Sequence, residues 1–125
     1  MQNLEQIRAM NALNASRNFD PKGENGGDVV KKVPAMIQQN GLLGAIAFAL
    51  DDNAGHKEVL EGAIAHYAQL DKEAPSGIGD FTNWIIVQDS AKLRAATTEI
   101  LAYLNYYRRF ASAKKKEAKN ADSNQ

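Results

Sequence analysis

From Ala91 to about Ala113 the chain runs without a glycine or a proline, and its apolar residues fall at helical intervals. Leu93, Ala96, Ile100, Leu101, Leu104, Tyr107, Phe110 and Ala111 make a stripe broad enough to cover a core. A helix with so wide an apolar face is stable only if other elements bury that face. Nothing in the rest of the chain supplies a sheet to do so, since no apolar and polar residues alternate over a length that a strand needs. The partners must therefore be helices.

Five further segments meet that requirement. Leu4, Ile7, Met10 and Leu13, with Ala9 and Ala12 beside them, predict a first helix over Leu4 to Arg17, and Asn3 with Gln6 reads as a capping box at its start. Asp20-Pro21 ends it, and residues 21–27 form a flexible, turn-rich loop with three glycines. Asp28 is placed to cap a second helix with Val29, Val33, Met36 and Ile37 on one face, bent or restarted at Pro34. Asn40-Gly41 reads as its C-terminal cap. Leu42 to Leu50 is apolar on every side, as in a fully buried helix, and Asp51-Asp52-Asn53-Ala54-Gly55 breaks it. Val59, Leu60, Ala63, Ile64, Tyr67 and Leu70 mark a fourth, amphipathic helix. Asp80 is placed to cap a short fifth helix with Phe81, Trp84, Ile85 and Val87 on its buried face, and Ser90 to cap the long last one. The expectation is an all-α, compact single-domain bundle of about six helices over residues 1–119, with residues 120–125 as a disordered polar tail. No internal repeat is present.

Composition agrees. At 125 residues the chain suits one ordinary domain, and 44% apolar content with only 7% aromatic favours packed helices. The absence of cysteine excludes disulfides and thiolate metal sites and fits a reducing cytosol. Met1 leads directly into Gln2 and Asn3, and no run of about 18 apolar residues appears, so neither export nor a membrane span is expected. Lysine plus arginine and aspartate plus glutamate number 15 each. That neutrality lacks the global signature of a free-standing nucleic-acid binder. The charges are nevertheless segregated: Lys92, Arg94, Arg108, Arg109, Lys114, Lys115, Lys116 and Lys119 make one end basic, while Asp51 to Glu73 is mostly acidic.

The sequence shows no catalytic machinery. His56 and His66 lack the i, i+4 spacing of a helical metal pair, and each reads as a partly solvated helix residue. Asp51 and Asp52 precede Asn53 and Gly55 but lack the alternating ligands and closing glutamate of a calcium loop, so they read as a helix-ending turn. Gly23, Gly26 and Gly27 are not followed in register by a phosphate-loop lysine and hydroxyl. No metal, cofactor or small-molecule substrate is expected. Lys31 and Lys32 stand on the solvent side of the second helix, and Arg8 and Arg17 flank the apolar stripe of the first. For each a solvated surface charge is the default, yet with Arg94, Arg108 and Arg109 they offer several cations for phosphates. Tyr107 falls on the core stripe; Tyr103 and Tyr106 suit either exposure, with stacking on a base or a partner, or burial against a neighbouring helix.

Two segments carry a resemblance. Leu4-Glu5-Gln6-Ile7-Arg8-Ala9, and Leu93 through Ala111 with its Tyr103-Leu104-Asn105-Tyr106-Tyr107-Arg108-Arg109-Phe110 core, resemble the small subunit of the type III-B CRISPR effector, the Cmr complex. Val30 to Leu42, followed by the apolar run to Leu50, is similar to that family's second helix. The likeness spans almost the whole chain, and only residues 23–27, 71–79 and the lysine-rich tail lack a characteristic pattern.

The resemblance implies a helical bundle without activity of its own, in the cytoplasm. Copies would stack beside the complex's backbone subunits and help to hold guide and target RNA, while other subunits act on the target. Partners would be those subunits, neighbouring copies and the two RNAs, with no membrane. Carried over by position, Arg8, Lys31, Lys32, Arg94, Arg108 and Arg109 would form an RNA-binding basic face. The alternative for any of them is a salt bridge to a neighbouring subunit, and for the whole chain an interaction module that never meets RNA.

Overall fold

The computed structural model describes residues 2–18, 28–51 and 53–123. The glycine loop expected at residues 21–27 lies outside them. The described residues form five helices and no strand: α1 (Leu4–Arg17), α2 (Val29–Leu50), α3 (Ala54–Leu70), α4 (Ile78–Ile85) and α5 (Ser90–Ser123). The all-α expectation holds. The sixth helix of the sequence reading is the second half of α2, because Gly41, at φ 83° and ψ 164°, leaves helical geometry and splits α2 into two arms. The backbone around Pro34 stays helical, so the bend falls at the glycine and not at the proline.

Local chemistry sets the ends. The capping box on α1 is present, with the Gln6 N–H donating to the Asn3 side chain and the Asn3 N–H to Gln6, both at 2.9 Å. Three other expected caps are not. Asp28 has helical backbone angles and makes no side-chain cap bond. Asp80 sits inside the first turn of α4, whose cap position is Gly77. At α5 the capping acceptor is Asp89, which takes the Lys92 N–H at 2.8 Å, and not Ser90.

α5 is the hub. α1, α2 and α3 all pack against it, and its Ala96, Ile100, Tyr103, Leu104, Tyr107 and Ala111 are buried. Leu60, Ala63 and Ile64 of α3, Val30, Val33, Ile37 and Ile46 of α2, and Phe81 and Ile85 of α4 complete the core. α2 is long and apolar enough in length and composition to cross a membrane. Here it is a core helix, with its apolar face on α3 and α5 and its arms divided at Gly41.

Two faces differ from their sequence reading. The second arm of α2 is buried on one side only: Leu42, Ala45, Ile46 and Ala49 face inward, while Phe48 and Leu50 are 41% and 47% exposed. α1 buries Ala12 and Ser16, and leaves Leu4, Met10 and Leu13 exposed. Small side chains let α1 lie close along α5, and the bulkier residues are turned away. At the far end of this pair Lys114 Nζ donates to the carbonyls of Arg17 at 2.6 Å and Ser16 at 3.3 Å. A cation there satisfies the orphan carbonyls of the α1 terminus and opposes its dipole.

Candidate functional site

The six cations expected to form one basic face occupy three different environments. Arg8 is spent inside the fold. Its Nε and Nη2 each donate to Glu99 at 2.7 Å, a bidentate pair between α1 and α5. Glu99 also accepts from His66 Nε2 of α3 at 2.9 Å. The other ring nitrogen of His66 accepts from the Asn11 amide at 2.8 Å, and that same amide nitrogen donates to Gln69 at 3.0 Å. Tyr103 stacks on the imidazole, with ring centroids 4.9 Å apart. One carboxylate thus ties three helices together. Burial pushes its pKa up, but the bonds from Arg8 and His66 outweigh that and hold it below the ordinary 4.5. The same contacts hold the Arg8 guanidinium above its ordinary value.

This cluster corrects one reading of the sequence and decides a second between its two alternatives. His66 is 2% exposed and not partly solvated, and Tyr103, at 1%, is core. It also bears on reactivity. The shallow hollow beside His66 holds about 240 Å³ and is lined by Asn14, Gly62 and Gln69 among others. The imidazole has both nitrogens occupied, and Glu99, the carboxylate bonded to it, is saturated by Arg8. Among the described residues no three His, Asp or Glu side chains gather as a metal site would require.

Lys31 and Arg108 do come together. Successive residues on a helix diverge by about 100°, so Lys31 and Lys32 leave α2 in different directions. Val29, Val30 and Val33 are buried and fix that rotation. Lys31 faces α5, where it and Arg108 line an open groove of about 350 Å³ with Pro34, Gln38, Leu101 and Asn105. Lys32 instead lines a second hollow, of about 340 Å³, on the α3 side. Ala35 borders both, so one ridge of α2 separates them. Arg94 and Arg109 are exposed on α5. Arg94 lies on nearly the same side of the helix as Arg108, about 21 Å away along its axis.

Lys92, counted in the basic end, is also engaged. It donates to Asp71 at 2.9 Å and lies 6.0 Å from the centre of the Trp84 ring. The Lys92 bond, with those from Tyr67 and the Glu73 N–H, holds Asp71 below its ordinary value against the effect of burial. What the sequence did not disclose is His56. It is 8% exposed, buried at the start of α3 against Phe48, and it borders the Lys32 hollow. Its position beside Lys57 and Glu58 suggested solvent, and packing against Phe48 from α2 helps to bury it.

Comparison with known proteins agrees with the sequence resemblance. The crystal structure of a CRISPR-associated Cmr5 family protein from Thermus thermophilus superposes with a TM-score of 0.74, covering 90% of this chain and 97% of that one. At 23% identity it bears on the fold. No curated protein sequence matches the chain. Residues 4–114 match the family described as CRISPR-associated protein Cas_Cmr5, a span that takes in α1 to α4, most of α5 and both cation-lined hollows. The chain belongs to the Cmr5 family of CRISPR-associated proteins.

Proposed function

We propose that this chain is a non-catalytic, cytoplasmic small subunit of the type III-B CRISPR effector in antiviral defence. It acts as a single helical domain that stacks along the guide and target RNA and helps to hold the target through sequence-independent phosphate contacts. The observation that carries the RNA part is the groove between α2 and α5, where Lys31 and Arg108 stand on opposite walls together with the amides of Gln38 and Asn105. Cations and amides without a base-reading pocket suit a phosphate backbone and carry no sequence preference. A chain with zero net charge cannot hold RNA strongly by itself. Repeated copies on one strand multiply a weak local contact by raising its effective concentration.

Within that reading Lys31, Lys32, Arg94, Arg108 and Arg109 contact RNA, and Arg8 contributes by fixing α1 on α5. Replacing Lys31 and Lys32 with glutamate should leave the isolated fold intact, since both are exposed on α2. The assembled complex should then retain target RNA about tenfold less well in a gel-shift assay at moderate salt. Unchanged retention would remove both lysines from the interface.

A second reading has its own support. Leu4, Met10 and Leu13 on α1, and Ile86 and Val87 after α4, expose apolar surface that a protein neighbour would cover. On that reading the chain is an interaction module without RNA contact. Crosslinking RNA within the purified assembly separates the two: adducts on α2 or α5 favour the first, and their complete absence the second.

A further inference from the structure

The two histidines are both buried, but only one has its polar atoms accounted for. His66 has a partner on each ring nitrogen. His56 has no hydrogen-bond partner among the described residues, although it is 8% exposed. No fully enclosed side-chain nitrogen or oxygen among those residues lacks a partner, so the His56 nitrogens must reach open space. That space is the hollow it borders, whose other walls include Lys32, Gln39, Met36 and Phe48.

We propose that this hollow takes one nucleotide unit of a single-stranded RNA, with its phosphate between Lys32 and His56 and its base against Phe48 and Met36. The inference rests on the RNA reading above and adds to it a second contact, on the other side of the α2 ridge from the Lys31 and Arg108 groove. A volume of about 340 Å³ falls within the range of small-molecule sites. Phe48 is 41% exposed and meets His56 edge to face at 4.9 Å between centroids, so one aromatic wall adjoins the polar one. Bases of any kind stack on such a wall.

The electrostatics favour an anion at the polar end. α3 has no side-chain cap and no acid in its first turn. The Asn53 amide nitrogen is committed to the carbonyls of Phe48 and Asp51, at 2.8 and 3.0 Å. The positive end of a 17-residue helix therefore adds to Lys32. Of the charged groups nearby, Lys32 comes from α2, Asp51 lies exposed on the turn outside the hollow, and Lys57 and Glu58 are exposed on α3. Burial first, and then Lys32, hold the His56 pKa below its ordinary value of 6.5. A bound phosphate opposes both effects, so binding tightens as the ring takes up a proton.

The test is an NMR titration of both histidines in the full chain, comparing sodium chloride, inorganic phosphate and uridine monophosphate at matched ionic strength. Inorganic phosphate and the nucleotide should each raise the His56 midpoint by about half to one pH unit over chloride. His66, with both nitrogens engaged inside the fold, serves as the internal control. The nucleotide should also shift the Phe48 ring protons, and Phe48→Ala should remove its advantage over inorganic phosphate. Lys32→Gln, at an exposed position, should shrink both responses. A His56 midpoint identical in all three solutions overturns the proposal, whatever the gel shift shows for the Lys31 and Arg108 groove. A response to inorganic phosphate without any at Phe48 overturns the nucleotide assignment and leaves an anion site alone.

Discussion

Glu99 shows how one residue can decide what several others are free to do. It is 12% exposed at its side chain, and it satisfies Arg8 twice and His66 once. Arg8 thereby becomes a strut between α1 and α5, with two of its donors committed inside the fold. Nothing local in the sequence indicates this, because the two partners are 91 residues apart. Replacing Glu99 with glutamine keeps the shape but leaves Arg8 without its counter-charge. The expected loss is about 2–3 kcal/mol in urea denaturation. The pH dependence follows from the depressed pKa of Glu99 in the fold. Its contribution is fully present above the ordinary 4.5 and is lost as pH falls through the lower folded value. Asp71 acts in the same direction. Because the fold also holds His56 below 6.5, stability should begin to fall as pH drops from neutral through that value, and should decline further below about 5 as the two carboxylates protonate. The decline should be shallower in Glu99→Gln, and equal slopes in the two proteins would contradict the assignment.

At the scale of the helix, Gly41 is the residue that lets one apolar run become two differently directed arms. Its combination of φ 83° and ψ 164° is open essentially to glycine alone. A Cβ there would meet nothing within 4 Å. The cost of Gly41→Ala is thus backbone strain and not a clash, about 1–3 kcal/mol. A lower urea midpoint with an unchanged m-value is the expected result, and an unaltered midpoint would show that the arms are joined without strain. The glycine signal was legible in Asn40-Gly41, as was the Asn3 and Gln6 box, because both depend on neighbours in sequence. The orientation of α1 was not. Its larger apolar residues suggested a core face, yet close approach to α5 selects the side with Ala12 and Ser16. The cap of α5 moved from Ser90 to Asp89 for a similar reason: adjacent oxygen-bearing residues compete, and the backbone path into the helix chooses.

For the whole molecule, charge placement matters more than the sum. Net neutrality conceals Lys31 and Lys32 on opposite sides of one ridge, with Arg108 facing the first and His56 the second. Lys92 and Lys114 are turned inward to Asp71 and to the end of α1. The basic end seen in sequence is thus partly structural. If the exposed cations contact phosphates, RNA affinity of the assembled complex should fall with salt. Removing Arg108 should reduce the slope of log K against log salt by about 1 for each phosphate that is no longer neutralised. A slope unaffected by Arg108→Gln, alongside weaker assembly, would point to protein contacts instead.

The sequence by itself determined that the chain is helical, where the helices lie and which stripes most of them bury, because a period of about 3.6 residues is written in near neighbours. It also carried the family resemblance. Only the tertiary structure decided which cations remain available, which histidine is satisfied and which apolar residues stay outside. Those outcomes depend on groups that meet across helix faces after distances of up to 101 residues in sequence, and no local pattern encodes such a meeting.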